Sequence, residues 1–545
     1  MMHKFLVALV SFFLLITVGA SAQDTIRTAG GDSTQFFELI HSDRLRFLRV
    51  DSVTELQMLA GGVIVKQDKT TFYCDSAVIN KRLKILEAFG KVYINDADSI
   101  KIYSNYLIYH LDTKIAVLKK NVRLTDGKGT LTTEELEYDT RSKIGDYRKG
   151  GKVVNGTTVL TSAEATYYGD LHDVIFKKNV KMRDPKTNLD TDSLLYNTDS
   201  QVATFIAKTQ ITDSAGGTVV TTDGFYDMKN RRASFGKRSV IKDGKGITVT
   251  GDDIFTDDAT GRTVIRGSGV FRDSVQNVAI VANYMESDRK KNTILATQHP
   301  LMIIKQDEDS IYVTADTLYS APMKGFVDSN YRDIPLDTLR GTRVLNTNDT
   351  SDIRFFQCYH NVRIFSDSLQ AVCDSLFYSA RDSVFRLFNE PIVWASLNQV
   401  TGDTIYLFTK DRKAERMSVF ENGMVINKAY ENMFNQIRGN TLNGYFRDGV
   451  IDYMRAKGSA QSIYYAKDEN DALVGVNNAS ADIIDMRFDN KELDKVIFIS
   501  EVTGTMYPVS QLPEDKKQLR NFRWQENRRP KTKFELFENP QASKQ

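Results

Sequence analysis

The chain has 545 residues, 41% of them hydrophobic and 26% charged, a globular composition and not a disordered one. Lys plus Arg number 72 and Asp plus Glu 70, a net charge of +2, so no basic field marks a nucleic-acid binder, and no RNP, zinc-finger or helix-turn-helix pattern occurs. Only 9 prolines are present, which suits long hydrogen-bonded strands, because each proline removes a ladder donor.

The first element is an address. His3 and Lys4 precede an apolar run from Phe5 to Val18, and Ala20-Ser21-Ala22 has the small-x-small form of a cleavage site. This pattern predicts a cleavable signal peptide over residues 1–22, followed by a polar leader over 23–39. The run is shorter than the roughly 20 residues that a membrane span needs, and no cysteine follows the cleavage point as it would in a lipoprotein.

From residue 40 one motif recurs: a polar residue, an apolar residue two positions on, and often an aromatic two positions later. Clear copies are Asn105-Leu107-Tyr109, Glu134-Leu136-Tyr138, Asp192-Leu194-Tyr196 and Asp374-Leu376-Tyr378. Looser ones include Asp43-Leu45-Phe47, Glu164-Thr166-Tyr168, Asp223-Phe225, Asp252-Ile254 and Asn283-Met285. The step is about 30 residues, a repeat period. Between copies lie short β-branched segments that follow Gly, Lys or Asn, such as Lys91-Val92-Tyr93-Ile94, Asn121-Val122-Arg123-Leu124 and Asn179-Val180-Lys181-Met182. Their period-two alternation predicts half-buried strands, and Asp126-Gly127 and Asp243-Gly244 predict hairpin turns. A unit this small cannot bury its own apolar face, whereas stacked units can share one core. The expectation is an all-β, elongated, twisted body.

The period runs over 40–323, breaks at an inserted loop over 324–352, and resumes over 353–508. Residues 509–545 carry many charges, including Lys516, Lys517, Arg520, Arg523, Arg528 and Arg529, and read as a poorly packed or disordered end.

No cofactor or metal site is expected. None of the 6 histidines stands three or four residues from another, and no Cys-x-x-Cys, Gly-x-Ser-x-Gly, P-loop or dinucleotide fingerprint occurs. Most Asp residues fall at repeat-equivalent turns, where capping explains them, so the chain reads as non-enzymatic. Cys74, Cys358 and Cys373 form no disulfide framework; Cys358 and Cys373 fall on neighbouring strands, where they either pair or lie buried as free thiols.

The serial alternation of small-Asp-x-apolar-x-Tyr with Gly/Lys-Asn-Val-x-apolar-x-Asp over residues 40–500 resembles the OstA-like (LptA/OstA) family. The resemblance implies a β-jellyroll in the periplasm of a Gram-negative bacterium, sheltering the acyl chains of lipopolysaccharide (lipid A) between the inner and outer membranes. It also implies partners of LptC-like and LptD-like jellyroll type, joined by edge-strand addition, and head-to-tail self-association. On this reading one apolar wall of the groove is formed by Leu107, Leu136, Leu194, Phe225, Ile254 and Met285. The facing wall is formed by Val92, Ile94, Val122, Leu124, Val180 and Met182. The other reading of the same repeats is a structural or adhesive β-solenoid with a packed core and no lipid cargo.

Overall fold

A computed structural model of the chain describes residues 37–305, 310–323, 354–379, 381–410, 413–468, 470, 472–489 and 492–537. The expected signal peptide, most of the leader, the inserted loop and the last eight residues lie outside them. The described residues form 38 strands in one continuous sheet and four short 3-10 turns. Neighbouring strands run antiparallel along the chain, as from Ile85–Asp96 to Ile100–His110 to Ile115–Thr125. The fold is the all-β, elongated body that the alternation predicts, in the jellyroll form that the resemblance implies.

The strand Ile100–His110 shows how sequence makes the unit. Its burial alternates, and the phase slips once near Ser104-Asn105. The first half pairs with Val92–Asp96 and the second with Ile85–Phe89, with a bulge between. The facing strand carries two consecutive left-handed residues there, Gly90 (φ 72°) and Lys91 (φ 42°); Lys120-Asn121 and Lys178-Asn179 do the same in later repeats. Gly and Asn tolerate this conformation best, which accounts for the Gly/Lys-Asn element of the motif. On the other strand a buried hydroxyl spans the bend: Ser104 Oγ donates to Tyr106 O (3.1 Å), Thr133 to Glu135 O (3.3 Å) and Ser162 to Glu164 O (2.6 Å).

These bends fold the sheet along its length into two facing walls. One carries the motif leucines and tyrosines and is called here the tyrosine wall. The other carries the β-branched segments and is called the aliphatic wall. A single core cluster joins them from Leu59 to Phe488.

Two repeats are displaced by one residue from the sequence reading. Ala165, not Thr166, faces inward, and Tyr167, not Tyr168, holds the aromatic position; Thr166 Oγ1 instead donates to Asp146 on the outer face at 2.6 Å. Likewise Gly224 pairs with Phe205 and Phe235 on the inner row, so Phe225 points outward, 37% exposed. Because the side-chain period of a strand is two, a slip of one residue reverses the face. The stable anchor is the small hydroxyl residue of the bend (Ser104, Thr133, Ser162, Thr191, Thr221), not the acidic residue after it. Leu45 is also exposed, at 48%, on the strand Arg44–Arg49, which no further strand covers among the described residues.

The charged tail is not loose. Residues Val509–Phe537 form an extended strap with 3-10 turns that runs back across the strands of the C-terminal half. Three buried glutamines grip it. Gln436 donates to Lys517 O and accepts from Leu519 N, both at 2.8 Å. Gln399 donates to Arg523 O (2.7 Å) and accepts from Gln525 N (2.8 Å). In both, one side-chain amide serves the carbonyl of a strap residue and the N–H two residues on, as a paired strand would. Gln370 Oε1 accepts two bonds from the Arg529 guanidinium, at 2.8 and 2.7 Å. Phe434 packs on Phe522 and Trp524.

Candidate functional site: an apolar interior behind a polar seam

The strand register places the inward residues in unbroken rows. Along the aliphatic wall, neighbours across successive strands are Ile94, Ile102, Leu124, Leu131, Val153, Leu160, Met182, Leu189 and Ile211. Along the tyrosine wall, Ala88, Leu107, Leu118 and Leu136 form one row, resumed by Phe176, Leu194, Phe205, Gly224, Phe235, Ile254, Ile265 and Met285. Eleven of the expected groove residues therefore lie on the inner face and are buried: Val92, Ile94, Leu107, Val122, Leu124, Leu136, Val180, Met182, Leu194, Ile254 and Met285. Phe225 is the exception, for the reason of register given above. The interior is packed: Leu136 and Leu194 are both 0% exposed. A small cavity lies between the walls, lined by Leu124, Leu131, Tyr147, Val153, Tyr167 and Val174.

The motif tyrosines stand one step nearer the margin of their wall, alternating with small neighbours. The row reads Tyr109, Ala116, Tyr138, Gly145, Tyr167, Val174, Tyr196, Ala203, Tyr226 and Ala233. Large rings over small residues fill this layer without voids. Gly145 shows the fit: a Cβ there would lie 3.5 Å from both Leu136 and Tyr138 and 3.8 Å from Leu124 on the facing wall.

The phenol groups close the margin. Tyr109 donates to Gln67 Oε1 (2.5 Å), Tyr138 to Asp96 Oδ2 (2.6 Å) and Tyr167 to Asp126 Oδ2 (3.0 Å). Each acceptor sits in a turn of the aliphatic wall, 42, 42 and 41 residues upstream of its tyrosine. Asp126 is the most heavily bonded of them. It also meets His172 Nδ1 (3.0 Å), Thr198 Oγ1 (3.1 Å) and the N–H groups of Lys128 and Gly129. Further along, Asn155 donates to Thr198 O and accepts from Gln201, and Lys114 pairs with Asp68 across the same margin.

The electrostatics follow from this geometry. Burial pushes the Tyr109 hydroxyl up to about 12. Burial, then the charge and hydrogen bond of Asp96, push Tyr138 higher still, so both remain donors at any physiological pH. Burial raises the Asp126 carboxyl, but its hydrogen bonds from Gly129, His172, Lys128 and Tyr167 outweigh that, and it lies below the usual carboxylate range. The three cysteines are free and buried, and burial raises all three thiols. Among the described residues no group of three or more His, Cys, Asp or Glu could hold a metal ion, and no helix is long and apolar enough to cross a membrane.

Sequence reasoning found the apolar rows and missed the seam. The missing signal was a second spacing, a Gln or Asp 41 or 42 residues before Tyr109, Tyr138 and Tyr167. The gripping glutamines were missed because their partners lie more than 80 residues away in the tail.

Residues 34–192 and 165–252 match the family model described as OstA-like protein. No curated protein matches. Among solved structures the chain is similar to LptH, the LptA homologous periplasmic component of the conserved lipopolysaccharide transport device from Pseudomonas aeruginosa. The identity is 15%, over 20% of this chain and 83% of that one, with a TM-score of 0.18.

Proposed function

On the match of residues 34–192 and 165–252 to the OstA-like family model, we propose that this chain is a periplasmic bridge component for lipopolysaccharide that shelters lipid A acyl chains between its two walls. The observation that carries this reading is the continuity of the inner rows. Each methylene moved from an apolar interior to water costs about 0.8 kcal/mol, so a lipid can travel only if the next apolar site is offered before the last is vacated. Rows with an apolar residue on every strand from Ile94 to Ile211 supply this. The walls pack against each other, so acyl chains would take the place of wall-to-wall contacts.

On this reading the partners are lipopolysaccharide and other jellyroll proteins of the transport system, of LptC-like and LptD-like type. The exposed edge supports docking of this kind. Among the described residues Glu38–His41 and Arg44–Arg49 pair on one side only, and Leu39, Ile40, Leu45 and Phe47 are open to solvent, a strand edge of the sort that accepts another chain. Head-to-tail self-association through the same edge belongs to the proposal. Native mass spectrometry of the purified chain titrated with a short-chain lipopolysaccharide tests it. A saturable mass shift of one or more lipids is expected, and no shift at any concentration would leave the packed scaffold as the better reading.

A further inference from the structure

The tyrosine row does not run the whole length. After Tyr226 and Ala233 the same row continues as Thr256, Thr263 and Ser287. No side-chain hydrogen bond or ion pair links the two rows of turns between Arg231 and Ile304 among the described residues. The facing wall changes at the same place. Its inward row is buried at Ile211 (7% exposed) and again at Ile280 (3%). Between them Val219, Ile241, Val249 and Phe271, paired in succession on adjacent strands, are only partly buried. Nearer the margin, Asp243 and Asp273 stand where Asp126 and Asn155 stand in the sealed repeats, and each carboxylate accepts from N–H groups of its own turn.

We propose that the stretch from Val219 to Phe271 is a lateral port through which a single hydrocarbon chain of a lipid enters and leaves the interior; this rests on the lipid-carrying function proposed above. Loss of the bulky latch on one wall and exposure of the apolar row on the other coincide on the same strands. Four adjacent strands at about 4.8 Å make a window roughly 14 Å long. The partly buried row holds no polar side chain and continues directly into the buried rows on either side, so what fits it is an alkyl chain that can slide inward. The sealed repeats before it hold a chain that is already inside, and the port is where one can be handed on.

The sequence also suggests how to shut it. Asp213 and Asp243 stand 43 and 44 residues before Thr256 and Ser287, close to the spacing of the working latches. Thr256→Tyr with Ser287→Tyr should extend the seam across the port. The test places p-benzoylphenylalanine singly at Val249 and Phe271 in the port and at Leu118 and Leu160 behind the seam. Each full-length chain is mixed with lipopolysaccharide micelles and irradiated after seconds and after hours. Early cross-links at Val249 and Phe271, at least tenfold above those at Leu118 and Leu160, are expected, with the double tyrosine variant reducing them by a similar factor. A melting curve like that of the wild type shows that variant to be folded, and where it is not, Val249→Asn serves, with early labelling at Phe271 as the readout. Equal early labelling at all four sites would overturn the port and leave lipid binding standing. Cross-linked protein dimers at Val249 or Phe271 would overturn it in favour of an interface between copies. No lipid cross-link anywhere would remove the lipid reading itself.

Discussion

Tyr138→Phe and Tyr196→Phe make a matched pair. Both rings are 0% exposed, lie in the same row and pack on small neighbours. They differ in one respect: the Tyr138 hydroxyl donates to Asp96 at 2.6 Å, whereas the Tyr196 hydroxyl is buried and meets no partner among the described residues. Removing the first leaves a carboxylate that is 2% exposed with one donor fewer, although Thr70 Oγ1 still donates to it at 2.7 Å. A hydrogen bond to a charged group contributes about 1.5–3 kcal/mol, so Tyr138→Phe should loosen the local seam by that amount. Removing the second deletes a hydroxyl that has no partner, which should be neutral or slightly stabilising. Amide hydrogen exchange in the turns around residues 96–99 and 140–143 reads the difference locally. Since 1.36 kcal/mol is tenfold, exchange there should quicken roughly ten- to a hundredfold in Tyr138→Phe, while the turns beside Tyr196 should be unchanged in Tyr196→Phe. Equal acceleration in both variants would show that the rings close the margin by packing alone and that the hydroxyl bonds contribute nothing.

Other consequences are as direct. Leu136→Asp puts an unpaired carboxylate at a fully buried site, at a cost of several kcal/mol, and should abolish the native thermal transition; Phe225→Asp, on the outer face, should shift stability by less than about 1 kcal/mol. The folded Asp126 carboxyl lies below its usual value of 3.8, so its contribution is fully present above the unfolded value and fades as the pH falls through the depressed one. Protection from exchange around residues 126–129, relative to the unstructured rate at each pH, should therefore be level at neutral pH and fall below about pH 4, and Asp126→Asn should show low protection at both. Gln399→Ala removes both bonds to the strap at Arg523 and Gln525 and should make residues 512–537 cleavable by trypsin well before the body, with Gln436→Ala acting alike.

The parts legible in the sequence were those written as local periodicity. Alternation gave the strands, and the 30-residue step gave their stacking. Leu107, Leu136 and Leu194 could be placed on one inner face because each is flanked by a bend residue and a tyrosine at fixed offsets. The same reasoning slipped by one residue at Thr166 and Phe225, where an acidic residue one position late served as the marker while the fold keys on the hydroxyl of Ser162 and Thr221. Leu45 failed for a different reason, because burial of an inward residue requires a strand beyond it and, among the described residues, Arg44–Arg49 is the outermost strand. The tail looked loose because its partners are not periodic: a charged segment is held by three glutamines that no local pattern connects to it. The seam was hidden in the same way, since Asp96 and Asp126 read as ordinary turn residues until the fold brings a tyrosine to each.

If the inner rows carry lipid, the chain purified from the bacterial envelope in which it is made should bring that lipid with it. Organic extraction followed by mass spectrometry should recover lipid A in an amount comparable to the protein from the wild type and markedly less from Thr256→Tyr with Ser287→Tyr. A well-folded wild type that yields no lipid A would contradict the account and leave a packed β-scaffold.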